Sequence, residues 1–345
     1  MSILYDARVV GVSVALPKER VNLAEAYPNS ERIMQLTGIR QVCVAPQDRT
    51  ASDYCIDAAE KLIAELDFDR NLIDGIVFVS PQPDYIFPGT AGVIQRRLNL
   101  RKDLVAFDIN HGCTGFIYGL FQASMLVQCG ACKNVLMCCG NTSVRFVNEA
   151  DKSLRMLMGD GSASAIITKT EEKNPTAFSF CTNGYELECF YVPAGGCRQP
   201  IQPGLTDIPC VDDSQNVRTL ENMCMDGVKV MKFDLDNSGA IIESVLAQRN
   251  IFKNDVGFFF FNQSNEFVVK RLIKKNHLDP TKVPICVRNT GNVGVASVPL
   301  TMCNTFNSGN VDFSNVLLCA LGVGLSGAAM LTNFSNTYFS EVLYV

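Results

Sequence analysis

Two stretches of this chain close alike, and that repetition limits what it can fold into. One runs Asn134-Val135-Leu136-Met137-Cys138-Cys139 and then Gly159-Asp160-Gly161-Ser162-Ala163-Ser164-Ala165-Ile166-Ile167-Thr168. The other runs Asn315-Val316-Leu317-Leu318-Cys319 and then Gly322-Val323-Gly324-Leu325-Ser326-Gly327-Ala328-Ala329-Met330-Leu331-Thr332. The segments before them also correspond. An apolar strand at 74–79 precedes a helical stretch at 90–98, as 256–261 precedes 267–275. A strand at 104–109 and a helix at 116–127 then match a strand at 283–287, a turn at 289–294 and a helix at 295–303. Strands this uniformly apolar need cover on both faces, so each half predicts a helix-flanked sheet. The simplest architecture is a duplicated α/β protein with halves 1–170 and 171–345 and an active site where they meet. An irregular, Pro- and Gly-rich insertion falls around 193–213.

The strand at 104–109 leads into Asn110-His111-Gly112-Cys113-Thr114-Gly115, and an almost wholly apolar helix follows. Strand, sharp glycine-flanked turn carrying a nucleophile, then buried helix is the plan of a nucleophile elbow. A thiol at a helix N-terminus meets the positive end of the dipole, which predicts a favoured thiolate at Cys113. The same backbone N–H groups can hold an oxyanion.

Composition narrows the classes. With 345 residues, 47% of them apolar and 19% charged, the chain can bury a large core. A net charge of −5 and the lack of a dense Lys/Arg run argue against a nucleic-acid surface. Fifteen cysteines, spread through apolar stretches, suit a reducing cytoplasm where Cys behaves as a small hydrophobe. Residues 1–8 lack the charged-then-apolar order of a signal peptide. Cys129 and Cys132 form a lone CxxC without a second pair, so no metal site is expected. Residues 314–340 carry no charged side chain, but their glycines predict two buried strands joined by a turn rather than a membrane span. Neither glycine motif, Gly159-Asp160-Gly161 or Gly322-Val323-Gly324, has dinucleotide-fingerprint spacing.

Several signatures stand in order along the chain: Thr37-Gly38-Ile39-Arg40, Phe87-Pro88, the Cys113 elbow, Met158-Gly159-Asp160-Gly161, Val192-Pro193-Ala194-Gly195-Gly196, and Gly291-Asn292-Val293-Gly294-Val295-Ala296-Ser297-Val298-Pro299. Together they resemble β-ketoacyl-acyl-carrier-protein synthase III, a condensing enzyme of the thiolase superfamily. The resemblance implies a five-layer αβαβα sandwich and a homodimer. It also implies ping-pong chemistry: the cysteine takes an acyl group from a thioester, and a malonyl thioester then decarboxylates and attacks. By resemblance, Cys113 is the nucleophile, Asn292 a donor to the malonyl thioester oxygen, and the backbone N–H groups of Cys113 and Val323 the oxyanion hole. Phe87 matches a residue that reaches across the dimer to bound the partner's acyl pocket, and Asn265 one lining the pantetheine tunnel. Substrates would be acyl and malonyl thioesters of coenzyme A or acyl carrier protein, with no metal, nicotinamide or flavin.

The chain also departs from that pattern. The family's catalytic histidine stands here as Asn262, in Asn262-Gln263-Ser264-Asn265, and only two histidines are present in all. An asparagine NH₂ can still donate to an enolate oxygen, but it cannot relay a proton. His111, two residues before the cysteine, could supply a displaced base or be an ordinary interior histidine. The adenine-stacking Trp and Arg of the family are Arg32 and Lys152, and the carrier-facing arginine is Phe267, while Lys232 and Lys274 keep positive charge nearby. Three functions follow from the sequence: decarboxylative condensation in fatty-acid or specialised lipid or polyketide synthesis, acyl transfer from Cys113 to a hydroxyl or amine, or a non-catalytic partner subunit.

Overall fold

The computed structural model describes residues 3–306 and 309–345. Met1 and Ser2, within the N-terminal segment considered above, lie outside the described residues. Ten strands form one strongly mixed sheet. Its path begins with β1 (Ala7–Leu16), β2 (Gly75–Val79), β3 (Val105–Ile109), β4 (Asn134–Asn141) and β5 (Gly161–Lys169). It continues with β6 (Ala177–Thr182), β7 (Phe258–Phe261), β8 (Gly309–Gly322) and β9 (Ser326–Phe339). The order is β7-β8-β9-β1-β5-β4-β2-β3, with β6 also paired to β9 and a short strand Leu343–Tyr344 paired to β1. The strands of the first half adjoin those of the second along β1, which runs parallel to the end of β9, Gly11 opposite Tyr338 and Val12 opposite Phe339, and to Leu343–Tyr344, Ala15 opposite Leu343.

Helices cover this sheet in layers. Helices α1 (Ala51–Glu65) and α2 (Thr90–Arg97) lie on one outer side. Helices α3 (Gly115–Gln128), α4 (Gly227–Arg249), α5 (Glu266–Lys275) and α6 (Ser297–Phe306) follow in the chain. Between the two halves run α3 and α6, and α4 with α5 forms the far side. The result is the five-layer α/β sandwich, and the strand sequences explain it. On β2, Ile76 and Phe78 point to the cluster under α1 and α2, while Val77 and Val79 join the central cluster. On β8, Leu317, Cys319 and Leu321 face α4 and α5, while Val316, Leu318 and Ala320 face the centre. Period-two alternation is hidden in such strands because both faces are apolar. Helix α3 is apolar nearly all round because it lies between the strands of the first half and those of the second.

Two expectations are corrected. The 104–109 segment is not fully buried: β3 is the edge strand beside β2, and Val105 is 37% exposed. The 283–287 segment forms no strand. Pro284 has no N–H to give a ladder, and the segment is instead stitched by a side chain. Gln263 Oε1 accepts the Cys286 N–H at 3.0 Å, while its Nε2 donates to Phe261 O at 2.9 Å and Pro284 O at 3.3 Å. The charge-free run 314–340 is β8, a turn and β9, as expected. No helix among the described residues is long and apolar enough to cross a membrane.

The Gly-Asp-Gly signature is a joint near the site. Asp160 accepts the Ala45 N–H at 2.9 Å and the Val144 N–H at 3.0 Å. Burial, partly offset by these two donors, pushes its carboxyl up to about 6. A side chain on Gly159 would meet Thr290 O at 2.2 Å, so the loop preceding Asn292 can close there only on glycine.

Candidate active site

Cys113 sits in the turn four residues past the end of β3 and two before α3 begins, and is 8% exposed. It opens on a cavity of about 640 Å³ whose walls are largely apolar, among them Phe146, Met158, Phe190, Val192, Met223 and Val295. The turn between β8 and β9 closes over the sulfur. A Cβ built on Gly322 would lie 2.7 Å from Cys113 Sγ, and one on Gly112 would lie 2.3 Å from Val323 Cγ1. Elbow and turn therefore interlock through two glycines, one from each half of the chain. The backbone N–H groups of Val323 and of Cys113 itself both act on the sulfur.

The expectation of a favoured thiolate is overturned. Burial pushes the Cys113 thiol above its ordinary value, and the Val323 N–H and the cysteine's own N–H offset only part of that; the nearby Asp234 charge raises it further. The sulfur lies outside the first turn of α3, among apolar side chains, where desolvation outweighs the dipole. Cys113 rests as a thiol at neutral pH.

A hydroxyl chain fixes the turn. Ser326 Oγ donates to Val323 O at 2.8 Å and lies 3.0 Å from Thr114 Oγ1, which lies 3.0 Å from His111 Nδ1. Each hydroxyl has one proton, so Thr114 donates to Ser326 and His111 Nδ1–H donates to Thr114. The imidazole stacks on Tyr118 with ring centroids 4.0 Å apart, and burial pushes its pKa down. His111 thus anchors the turn, as an interior histidine does; the structure turns its Nδ1 to Thr114 rather than to the sulfur. We expect Ser326→Ala to leave Val323 O and Thr114 short of a partner. Thioester loading of Cys113, followed by intact mass, should then slow about tenfold with the fold retained.

The two asparagines are set by backbone donors. Asn262, 3% exposed, accepts the Leu321 N–H at Oδ1 over 2.9 Å, one residue before the Gly322 that touches the sulfur. Its Nδ2 lies 3.3 Å from Ser264 Oγ. Asn292, 5% exposed, accepts the Gly294 N–H at Oδ1 over 3.0 Å and bridges to Met158 on the cavity wall. With both carbonyl oxygens committed, what each amide has left is Nδ2, a donor and not a base; that of Asn262 is directed at Ser264, and neither asparagine is among the residues that line the cavity.

Comparison with known proteins fits this arrangement. Residues 107–184 match the model described as 3-oxoacyl-[acyl-carrier-protein] synthase III, and residues 246–334 match that of its C-terminal part. A crystal structure of a 3-oxoacyl-(acyl-carrier-protein) synthase III is 30% identical, covers 95% of this chain and 100% of its own, and superimposes with a TM-score of 0.89. The chain belongs to the 3-oxoacyl-acyl-carrier-protein synthase III family. A Burkholderia xenovorans 3-oxoacyl-(acyl-carrier protein) synthase structure is 27% identical, with coverage of 99% and 98% and a TM-score of 0.90. A Clostridioides difficile β-ketoacyl-[acyl-carrier-protein] synthase III is 28% identical over 95% of this chain and 98% of its own.

The other residues carried over from the synthase III resemblance lie further out. Phe87 is 84% exposed beside Ile86 and Tyr85, away from the cavity of its own chain. Asn265 caps α5, its Oδ1 accepting the Val268 N–H at 2.9 Å. Arg32, on the short helix Glu31–Thr37 that packs against α5, is exposed, as are Lys152 and Lys274. Lys232 is not a free charge: it pairs with Asp236 one turn on, at 2.7 Å. Sequence reasoning missed Thr114, Ser326 and Gln263, whose small or neutral side chains carry no signal until β9 folds back onto the elbow.

Proposed function

We propose that the protein is a β-ketoacyl synthase III-type condensing enzyme working from thioesters of coenzyme A or acyl carrier protein. The observation that carries this reading is the Cys113 sulfur, acted on by its own N–H and that of Val323, in the wall of a largely apolar cavity. In the first half-reaction the Cys113 thiol adds to the acyl carbonyl, the two N–H groups hold the oxyanion, and the pantetheine thiolate departs and takes up the proton that the cysteine gives up. In the second, the malonyl carbon–carbon bond breaks to release CO₂. The Nδ2 groups of Asn262 and Asn292 hold the enolate oxygen while its carbon attacks acyl-Cys113. The Cys113 thiolate then leaves and takes a proton from solvent to return to its resting thiol.

No proton is taken from carbon, so an asparagine where the family resemblance expects histidine is compatible with this step. The exposed edge strand β3 and the protruding apolar loop of Tyr85, Ile86 and Phe87 support a homodimer in which Phe87 enters the partner's cavity. The test is β-ketoacyl product formed from acyl-coenzyme A with malonyl-carrier protein. Asn292→Ala should lower it by about 10²–10³-fold, while Cys113 still loads at close to the wild-type rate. Equal loss of both half-reactions would contradict the role given to Asn292.

A further inference from the structure

The cavity that Cys113 opens on is lined in two ways. Most of its surface is apolar, but Gln82, Asn110 and Ser143 also line it. These three lie just past the C-terminal ends of neighbouring parallel strands, Gln82 past β2, Asn110 past β3 and Ser143 past β4. The C-terminal ends of parallel strands are where α/β sheets hold their ligands. No charged side chain lines the cavity.

Gln82 and Ser143 form a locked pair. The Thr142 N–H can only donate, so the Gln82 oxygen receives it, at 3.0 Å, and that settles which end of the amide is which. Nε2 is thereby turned to Ser143 Oγ, at 3.1 Å. The Gln82 backbone is held as well: its N–H donates to Ser80 Oγ at 3.0 Å, and that hydroxyl donates to Gln82 O at 3.2 Å.

The pairing leaves two donors over. Ser143 Oγ receives the amide N–H, so its own proton must point elsewhere, and it meets no acceptor among the described residues. Gln82 Nε2 has a second N–H that is equally free. Ser143 is buried, and a buried donor without an acceptor is costly. Asn141, on the same strand end, does not answer them: its Nδ2 donates to Gly159 O at 3.2 Å and its Oδ1 lies against Gly294.

We propose that this pair selects an acyl group bearing an uncharged oxygen, a hydroxyl or a keto group, and holds that oxygen between the Ser143 O–H and the Gln82 Nε2–H. The proposal rests on the reading that Cys113 is the acyl acceptor and that this cavity takes the acyl chain. The two donor atoms are neighbours, so one oxygen can accept from both. A plain alkyl chain leaves both donors unanswered, and a site built to hydrogen-bond discriminates against such an analogue. A carboxylate or an ammonium on the chain would be desolvated with no opposite charge to meet it.

The experiment measures the second-order rate of Cys113 acylation by intact mass. It compares hexanoyl-coenzyme A with hexanoyl thioesters carrying one hydroxyl or one keto oxygen, moved along the chain from the third carbon. In wild type at least one oxygenated thioester should load about tenfold faster than the plain one. Ser143→Ala removes one donor. Gln82→Glu keeps the acceptor for Thr142 and replaces the Nε2 donor with an acceptor. In both variants the ratio of the two rates should fall to near one. The ratio is decisive because a variant that merely loosens the site slows both thioesters together and leaves it unchanged. A wild-type ratio near one, or a ratio that survives either substitution, would overturn the proposal. If no thioester loads wild type, the functional reading fails, and the same compounds are compared as protectants of Cys113 against iodoacetamide. Stronger protection by an oxygenated compound, lost in Ser143→Ala, then supports the donor pair; equal protection, or protection that survives the substitution, overturns it.

Discussion

Gly322→Ala is expected to abolish useful acyl loading of Cys113, by about 10²–10³-fold or more, without unfolding the protein. The added Cβ would stand 2.7 Å from Cys113 Sγ and 2.9 Å from its Cβ, at a residue whose φ of +151° suits glycine. Neither neighbour can yield. The cysteine is fixed by the elbow, and the turn by Ser326 on Val323 O and by the packing of Val323 on Gly112. The turn must lift, carrying the Val323 N–H away from the oxyanion it should hold. Overpacking of this kind costs about 1–3 kcal/mol, which a chain of this size tolerates. Thermal unfolding should therefore show a modest loss, and intact mass after thioester incubation almost none of the adduct. Loading at the wild-type rate would mean that Val323 is not the second donor.

Asn262→Ala should separate the half-reactions. The substitution removes an enolate donor and strips the buried Leu321 N–H of its acceptor, at a cost of about 1–3 kcal/mol. Condensation should fall by about 10²–10³-fold. Acylation should fall much less, because Leu321 only adjoins the turn that holds the sulfur. Asn262→Asp keeps an acceptor for Leu321 but offers no NH₂, and should restore stability without restoring condensation. Rates of CO₂ release and of acyl-enzyme formation check both variants. Equal condensation by the alanine variant and wild type would show that enolate stabilisation rests on Asn292 alone.

How much of this was legible in the sequence depends on which force sets each feature. The strands were, because β2, β4 and β8 are apolar on both faces and only a helix-covered sheet buries them so. The elbow was, because Gly112, Cys113 and Gly115 sit between a strand and an apolar helix. The strand expected at 283–287 was not, since the pattern of Val283, Ile285 and Val287 is sound but Gln263, twenty residues earlier, takes over its ladder. The protonation of Cys113 was not legible either. Helix position is local and readable, whereas the desolvation that outweighs it comes from the turn between β8 and β9 closing over the sulfur. Asp234 was the least visible: in Lys232-Phe233-Asp234-Leu235-Asp236 it reads as one more solvated charge, and only the helix phase turns it inward while Lys232 and Asp236 pair outside.

The most direct test of the account is intact-protein mass spectrometry after incubation with short acyl thioesters, followed by a malonyl-carrier-protein chase, for wild type and Cys113→Ala. The account predicts a single acyl adduct on wild type, absent from Cys113→Ala, that the chase clears as β-ketoacyl product with release of CO₂. An adduct that survives the chase, or one that forms equally on Cys113→Ala, would contradict it.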